Sequence, residues 1–250
     1  MIDTPHPDKP QPRELKFIST HSTALSTPSR FVIRYGAAVR MYLRALLPTQ
    51  DDADEVEQEF LLQVVEKGLP PISADRGLFR HYLIAIVRNA AFAYLRKRSR
   101  RPEMVGDLSH VPTASAANCE WQRGWRECVL QNTWHALRDH QKRNKGNLFH
   151  SVLKAFVEHS DEDSNALAIR VSTATGQPLS AEAFRKQLSR ARHKFAELLI
   201  NEVSRTIADV TPELLTEELH DLGLMKFVRT MLPDLLIQGR SGVFLSNPMP

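Results

Sequence analysis

Long apolar runs are missing from this 250-residue sequence. A run such as LIAIV at 83–87 is stopped at once by Arg88, far short of the roughly 20 apolar residues a membrane-spanning helix needs. Cysteine is nearly absent: Cys119 and Cys128 share one segment, lack the spacing of metal ligands and lie too close for a plausible bridge. Reduced thiols in a cytoplasmic protein, packed beside Trp121 and Trp125, are the expectation. The motifs HExxH, CxxC, GxGxxG and the Walker loop do not occur, and the ten histidines are scattered. No catalytic residue, metal or cofactor is therefore expected. The stretch MIDTPHPDKPQPRE has no charged-then-apolar signal pattern, and its prolines and polar residues predict disorder over 1–28. A strong net charge is lacking too: the balance is +4, so any case for nucleic acid rests on where cations cluster.

What is present is a charge inversion between neighbouring helical segments. Residues 51–59 read DDADEVEQE, and 96–101 read RKRSRR. No strand pattern or internal repeat appears, so the fold class is all-α. The first stripe is Val32, Tyr35, Val39, Leu43 and Leu46, closed by Pro48. Asp51 and Asp52 suit the positive start of a second helix, with Ala53, Val56, Phe60 and Val64 inside and Glu55, Glu59 and Glu66 outside. After a Gly/Pro-rich loop, a third helix from about Leu78 is read with Phe79, Leu83, Ile86, Ala90 and Ala93 as its apolar face.

These segments form one predicted domain over 29–101. Residues 102–117 have no periodicity and read as a flexible linker. A second helical domain is expected over 118–208. It begins with a helix whose inner face carries Trp121, Trp125, Val129, Trp134 and Leu137; Asn147 caps the next, short helix. The span Ser164–Phe195 looks like a helix-turn-helix with STATGQPLS as a long turn and Ser180 as N-cap of the second helix. Thr211-Pro212-Glu213 starts a further helix in a C-terminal extension, 209–250, whose leucine stripe is expected to pack.

The basic end of the third helix lies beside Tyr82, Phe92 and Tyr94. Cations neutralise phosphates and aromatic rings stack on unpaired bases, which suits a protein holding one strand of opened DNA. A solvated helix end over core aromatics reads the same residues equally well. Arg185, Lys186, Ser189, Arg190, Arg192 and His193 are the exposed candidates of the second helix of the helix-turn-helix, where arginine reads guanine and lysine serves phosphates. The alternative there is an ordinary amphipathic helix with a cationic outer face. The acidic helix is either a partner surface or a solubilising face.

The order of these parts resembles bacterial RNA polymerase sigma factors of the extracytoplasmic-function type. DADEVEQEFLLQVVEK (52–67) resembles the acidic segment with which that family grips the clamp helices of the polymerase β′ subunit. RGLFRHYLIAIVRNAAFAYLRKRSRR (76–101) resembles its segment for reading and melting the minus-ten element. LSAEAFRKQLSRARHKFAELL (179–199) resembles its recognition helix for the minus-thirty-five element. The long turn and the tail NEVSRTIADVTPELLTEEL are similar to planctomycete-type variants. Two positions depart from the family's habit: Ala93, where an acidic residue is frequent, and Tyr82, where tryptophan is.

The resemblance implies that Asp52, Asp54, Glu55, Gln58 and Glu59 dock on the polymerase. It implies that Arg80, Tyr82, Arg88, Asn89, Tyr94, Arg96 and Lys97 lie at the minus-ten element. Ser180, Arg185, Lys186, Ser189, Arg190, Arg192 and His193 would lie at the minus-thirty-five element. The implied partners are the polymerase core, through the β′ clamp helices and the β flap, and promoter DNA, with room for an anti-sigma regulator. Two other functions fit the same residues: a stand-alone helix-turn-helix regulator, and a protein-binding adaptor with degenerate DNA-reading surfaces.

Overall fold

A computed structural model describes residues 28–69, 78–99, 114–207 and 210–229. Among these it holds nine helices and no strand. Helices α1 (Pro28–Leu46), α2 (Gln50–Lys67) and α3 (Phe79–Ser99) come first, followed by the 30-residue α4 (Ala114–Arg143). Then come α5 (Phe149–Glu158), α6 (Ser164–Thr175) and α7 (Ala181–Ser204), and finally α8 (Pro212–Asp221) and α9 (Met225–Val228).

Side-chain caps set most of these starts. Thr49, Asp163, Ser180 and Thr211 each accept a hydrogen bond from a backbone N–H in the first turn of α2, α6, α7 and α8, groups that otherwise lack an intrahelical partner. Leu148 occupies the cap position of α5 without a side-chain bond, and the capping contact comes from Asn147 one residue earlier, whose Oδ1 accepts the Phe149 N–H at 3.4 Å. Gly176 ends α6 at φ +69°, a left-handed conformation that a side chain would resist. Because α6 runs on through Thr175, the connection to α7 is only Gly176–Ser180, shorter than the sequence reading allowed.

The expected stripes of α1 and α2 are buried at Tyr35, Val39, Leu43 and Leu46 and at Ala53, Val56, Phe60 and Val64. The face of α3 is rotated from expectation. Phe79, Tyr82, Leu83, Val87 and Ala91 are buried, whereas Ala93 is exposed. The buried arc is the one that meets α1 and α2, with Phe79 also against Trp125 of α4 and Arg80 bonded to Glu218 of α8.

The reading of two domains on a flexible linker meets a different geometry. Helix α4 begins at Ala114, inside the span assigned to the linker; 102–113 and the predicted tail 1–28, apart from Pro28, lie outside the described residues. Its first half lies along α1, where Trp125 stacks on Tyr35 (centroids 4.3 Å apart, rings 9° from parallel) and Trp121 meets Tyr42 edge-on at 5.7 Å. Gly124 permits this approach, since a Cβ there would stand 3.1 Å from the Ala38 Cα. The second half of α4 lies against α5 and α7, with Trp134 tilted 5.2 Å from Phe195.

Further bonds join the two halves. Glu202 of α7 is buried and receives Arg34 at 2.9 Å, Asn132 at 2.9 Å and Arg205 at 3.1 Å. The Phe79 N–H donates to the Thr206 carbonyl at 3.0 Å, and Leu78 pairs with Ile207 in an isolated bridge. The buried residues of both halves thus form one continuous apolar cluster.

Candidate polymerase and nucleic-acid interfaces

The acidic helix splits into a structural side and an open side. Asp52 turns inward and is 5% exposed. It accepts from the Thr49 hydroxyl at 2.7 Å, from the Tyr94 hydroxyl at 2.8 Å and from the Arg98 guanidinium, which ties the start of α2 to the end of α3. Burial pushes this carboxyl up, but the three donors outweigh it and hold it below the usual carboxylate range. The assignment of Asp52 to a partner surface is therefore corrected. Glu57, not singled out from sequence, is likewise buried and takes Arg40 Nε at 2.9 and 3.1 Å.

On the open side stand Glu55, Gln58 and Glu59, with Asp54 half-buried and paired to Arg44 at 3.2 Å. Sequence reasoning missed their apolar neighbours. Leu62 is 58% and Val65 52% exposed, one turn further along the same helix. Carboxylates beside exposed aliphatics make a surface able to take a partner carrying both cations and an apolar ridge.

Because Asp52 is ionised and held by donors only in the folded chain, it contributes stability above the unfolded carboxyl range, near pH 4, and that contribution drains away as pH falls through its depressed native value. Asp52→Asn is expected to lower stability at pH 7 and to flatten the loss of stability below pH 4. Denaturant titrations of both chains across pH 2–7 check it; parallel curves would show that the tether adds nothing.

Helix α3 requires two more corrections. Arg80, expected at a phosphate, is 5% exposed and lies 3.0 and 2.8 Å from the two oxygens of the buried Glu218, with Asp221 at 3.3 Å. Tyr82, expected to meet an unstacked base, is buried. Both are consumed by contacts within the chain. Tyr94 is half-buried and bonded to Asp52 and Glu55 at 2.8 and 2.9 Å, and burial with these two carboxylates pushes its phenol well up, so it stays a donor. Arg88 is half-buried, with Nε donating to the Tyr42 hydroxyl at 2.9 Å and Nη2 to Asn118 Oδ1 at 2.8 Å. Asn89, Phe92, Arg96 and Lys97 remain exposed, and no carboxylate pairs with Arg96 or Lys97 among the described residues.

Helix α7 presents the second cationic face. Arg185, Lys186, Ser189, Arg190, Arg192 and His193 are all exposed. Lys186 pairs with Glu182 at 2.7 Å across one helical turn, a surface contact worth little. The Arg192 guanidinium lies over the Phe156 ring at 4.5 Å. Ser180 is the helix cap: its hydroxyl accepts from the Ala183 N–H at 3.2 Å. Arg185 and Arg190 form no ion pair among the described residues. Those residues hold no cluster of three or more metal-ligating side chains and no helix long and apolar enough to cross a membrane.

The chain is thus an all-helical protein with an acidic–apolar face on α2 and separate cationic faces on α3 and α7. Residues 31–101, which hold the first two of these faces, match the family model of sigma-70 region 2. That match supports a sigma factor, acting in promoter recognition with RNA polymerase core and DNA as partners. No curated protein and no solved structure matches the chain.

Proposed function

We propose that this protein is a sigma factor of the extracytoplasmic-function type. It directs the polymerase core to particular promoters and assists their opening. The observation that carries this reading is the match over 31–101 falling on a segment whose α2 leaves Glu55, Gln58, Glu59, Leu62 and Val65 open to a partner.

In this reading Asp54, Glu55, Gln58 and Glu59 dock on the β′ clamp helices, with association steered by opposite charge and weakened by salt. Asn89, Arg96 and Lys97, with Arg88 at their edge, face the downstream element. Extruding a base there costs a few kcal/mol, which contacts to the freed strand must offset. Arg185, Lys186, Ser189 and Arg190 address duplex DNA upstream, α7 lying in the major groove behind a short turn. The order of α2, α3 and α6–α7, together with the α8 extension, is what supports the planctomycete-like variant.

Reversing Asp54, Glu55 and Glu59 to lysine is expected to abolish co-purification with core polymerase while leaving the helical content nearly unchanged and lowering the melting temperature modestly, through the lost Arg44–Asp54 pair and Tyr94–Glu55 bond. Retained polymerase binding by the folded triple variant would overturn the docking assignment. Mapping transcript starts with core polymerase and genomic fragments tests the whole reading: discrete starts absent with core alone support it, and their absence overturns it.

A further inference from the structure

One cationic element lies outside all the faces described so far. The corner between α4 and α5 reads KRNKGN over 142–147, and Lys142, Arg143 and Lys145 are exposed. Cations at a helix end are commonplace, because they suit the negative pole of the helix. Arg143 serves that purpose in part, its Nε donating to the Asp139 carbonyl at 3.3 Å. Lys142 and Lys145 are differently placed. Lys142 stands 3.9 Å from Asp139 with both side chains more than half exposed, a pairing worth little. Lys145 lies beyond the helix and pairs with no carboxylate among the described residues.

The corner is also firmly tied. Asn144 Nδ2 donates to the His140 carbonyl at 2.9 Å, and Asn147 Nδ2 to the Asn144 carbonyl at 3.0 Å. Gln141 exchanges two bonds with Ser151, at 2.9 and 3.0 Å, and the His140 ring stacks on Phe149. Above all, the corner is seated on α7. Gln187 reaches the Gly146 carbonyl with Nε2 at 3.5 Å and receives the Leu148 N–H on Oε1 at 3.4 Å. Gln187 is the residue next to Lys186 and one turn before Arg190. Lys142 and Lys145 are therefore held on the flank of the helix whose outer face carries the exposed arginines. Beside the corner, burial, Lys194 and Arg143 press the His140 pKa down, while Glu197, paired to Lys194 at 2.8 Å, presses it up.

A helix of about 10–12 Å diameter fills a major groove about 12 Å wide, so a loop fixed to its flank meets the sugar–phosphate strand at the groove wall. We propose that the 142–147 corner is a second phosphate-binding element, clamping through Lys142 and Lys145 the DNA strand that borders the groove entered by α7. This rests on the reading of α7 as a DNA-binding helix. The occupant is the duplex backbone, recognised without regard to sequence. The tied corner fixes the backbone that carries the two lysines, so the ordering cost on binding is confined to their side chains.

The test measures binding of the full chain to a short duplex of arbitrary sequence as a function of salt. Each cation–phosphate pair removed lowers the slope of log K against log salt by about 0.9 and weakens binding roughly five-fold at 0.15 M. Lys142→Gln/Lys145→Gln is expected to lower the slope by about 2. Arg185→Gln/Arg190→Gln is expected to lower it comparably, and Lys67→Gln, at the far end of α2, to leave it unchanged. If the lysine pair keeps the parental slope while the arginine pair loses it, the clamp is wrong and the α7 reading stands. If Lys67→Gln lowers the slope as much as the lysine pair, net charge alone explains the loss and the clamp falls. A chain that binds no duplex, or whose slope neither pair alters, overturns both.

Discussion

Removing the Arg80 guanidinium alone, as Arg80→Met, is expected to cost about 3–5 kcal/mol of stability, among the largest losses available in this chain. Glu218 is fully buried and Arg80 nearly so, so the carboxylate left behind would have lost its main cation in a place water does not reach. Asp221, the third member, is 40% exposed and carries no compensating charge. The cost is for breaking the pair, not a measure of what the pair adds. Replacing both partners, as Arg80→Met/Glu218→Met, is therefore expected to recover most of the stability, because two buried charges are exchanged for apolar volume. Chemical denaturation of the two single variants and the double one checks this. Losses that simply add would show that the two residues do not act as a pair.

The second large effect lies at the contact of α1 with α4. Trp125 is fully buried, stacked on Tyr35 and within about 6 Å of the rings of Phe79 and Trp121. Trp125→Ala is expected to cost about 3–5 kcal/mol through lost burial and the cavity left behind. At about 2–4 °C per kcal/mol for a chain of this size, the melting temperature falls by roughly 6–20 °C. Trp125→Phe is expected to cost much less. The indole N–H has no hydrogen-bond partner among the described residues, so its removal strands no acceptor. Thermal melts of both variants check it, and a phenylalanine chain as unstable as the alanine one would mean that the N–H is satisfied after all.

The local grammar of the fold was readable from sequence, and its long-range pairings were not. The buried stripes of α1 and α2, the caps at Ser180 and Thr211 and the aromatic inner face of α4 all follow from spacing between near neighbours, which hydropathy records. Arg80 has the same local signature as Arg96, a cation on a helix with an apolar stripe. Only Glu218, 138 residues away, makes one a buried partner and leaves the other exposed. Asp52 was misplaced for the same reason: Tyr94 and Arg98 of α3, 42 and 46 residues away, consume it. Glu55, Gln58 and Glu59 stay exposed, as charge on a helix face opposite an apolar stripe predicts, with only the Tyr94 hydroxyl reaching Glu55, at 2.9 Å. The corner at 142–147 carried a visible signal, three cations in four positions, but its seat on α7 depends on Gln187, which no spacing rule marks.

Helix α4 has a consequence for how the cationic faces are set relative to each other. It runs unbroken from its seat on α1 to its seat on α7, a span of about 45 Å. A continuous helix behaves like a threaded shaft: each residue inserted between Trp125 and Trp134 would turn one half against the other by about 100° and advance it by about 1.5 Å. The register of that shaft, and not the slack of a tether, therefore dials the bearing of the α3 cations against those of α7.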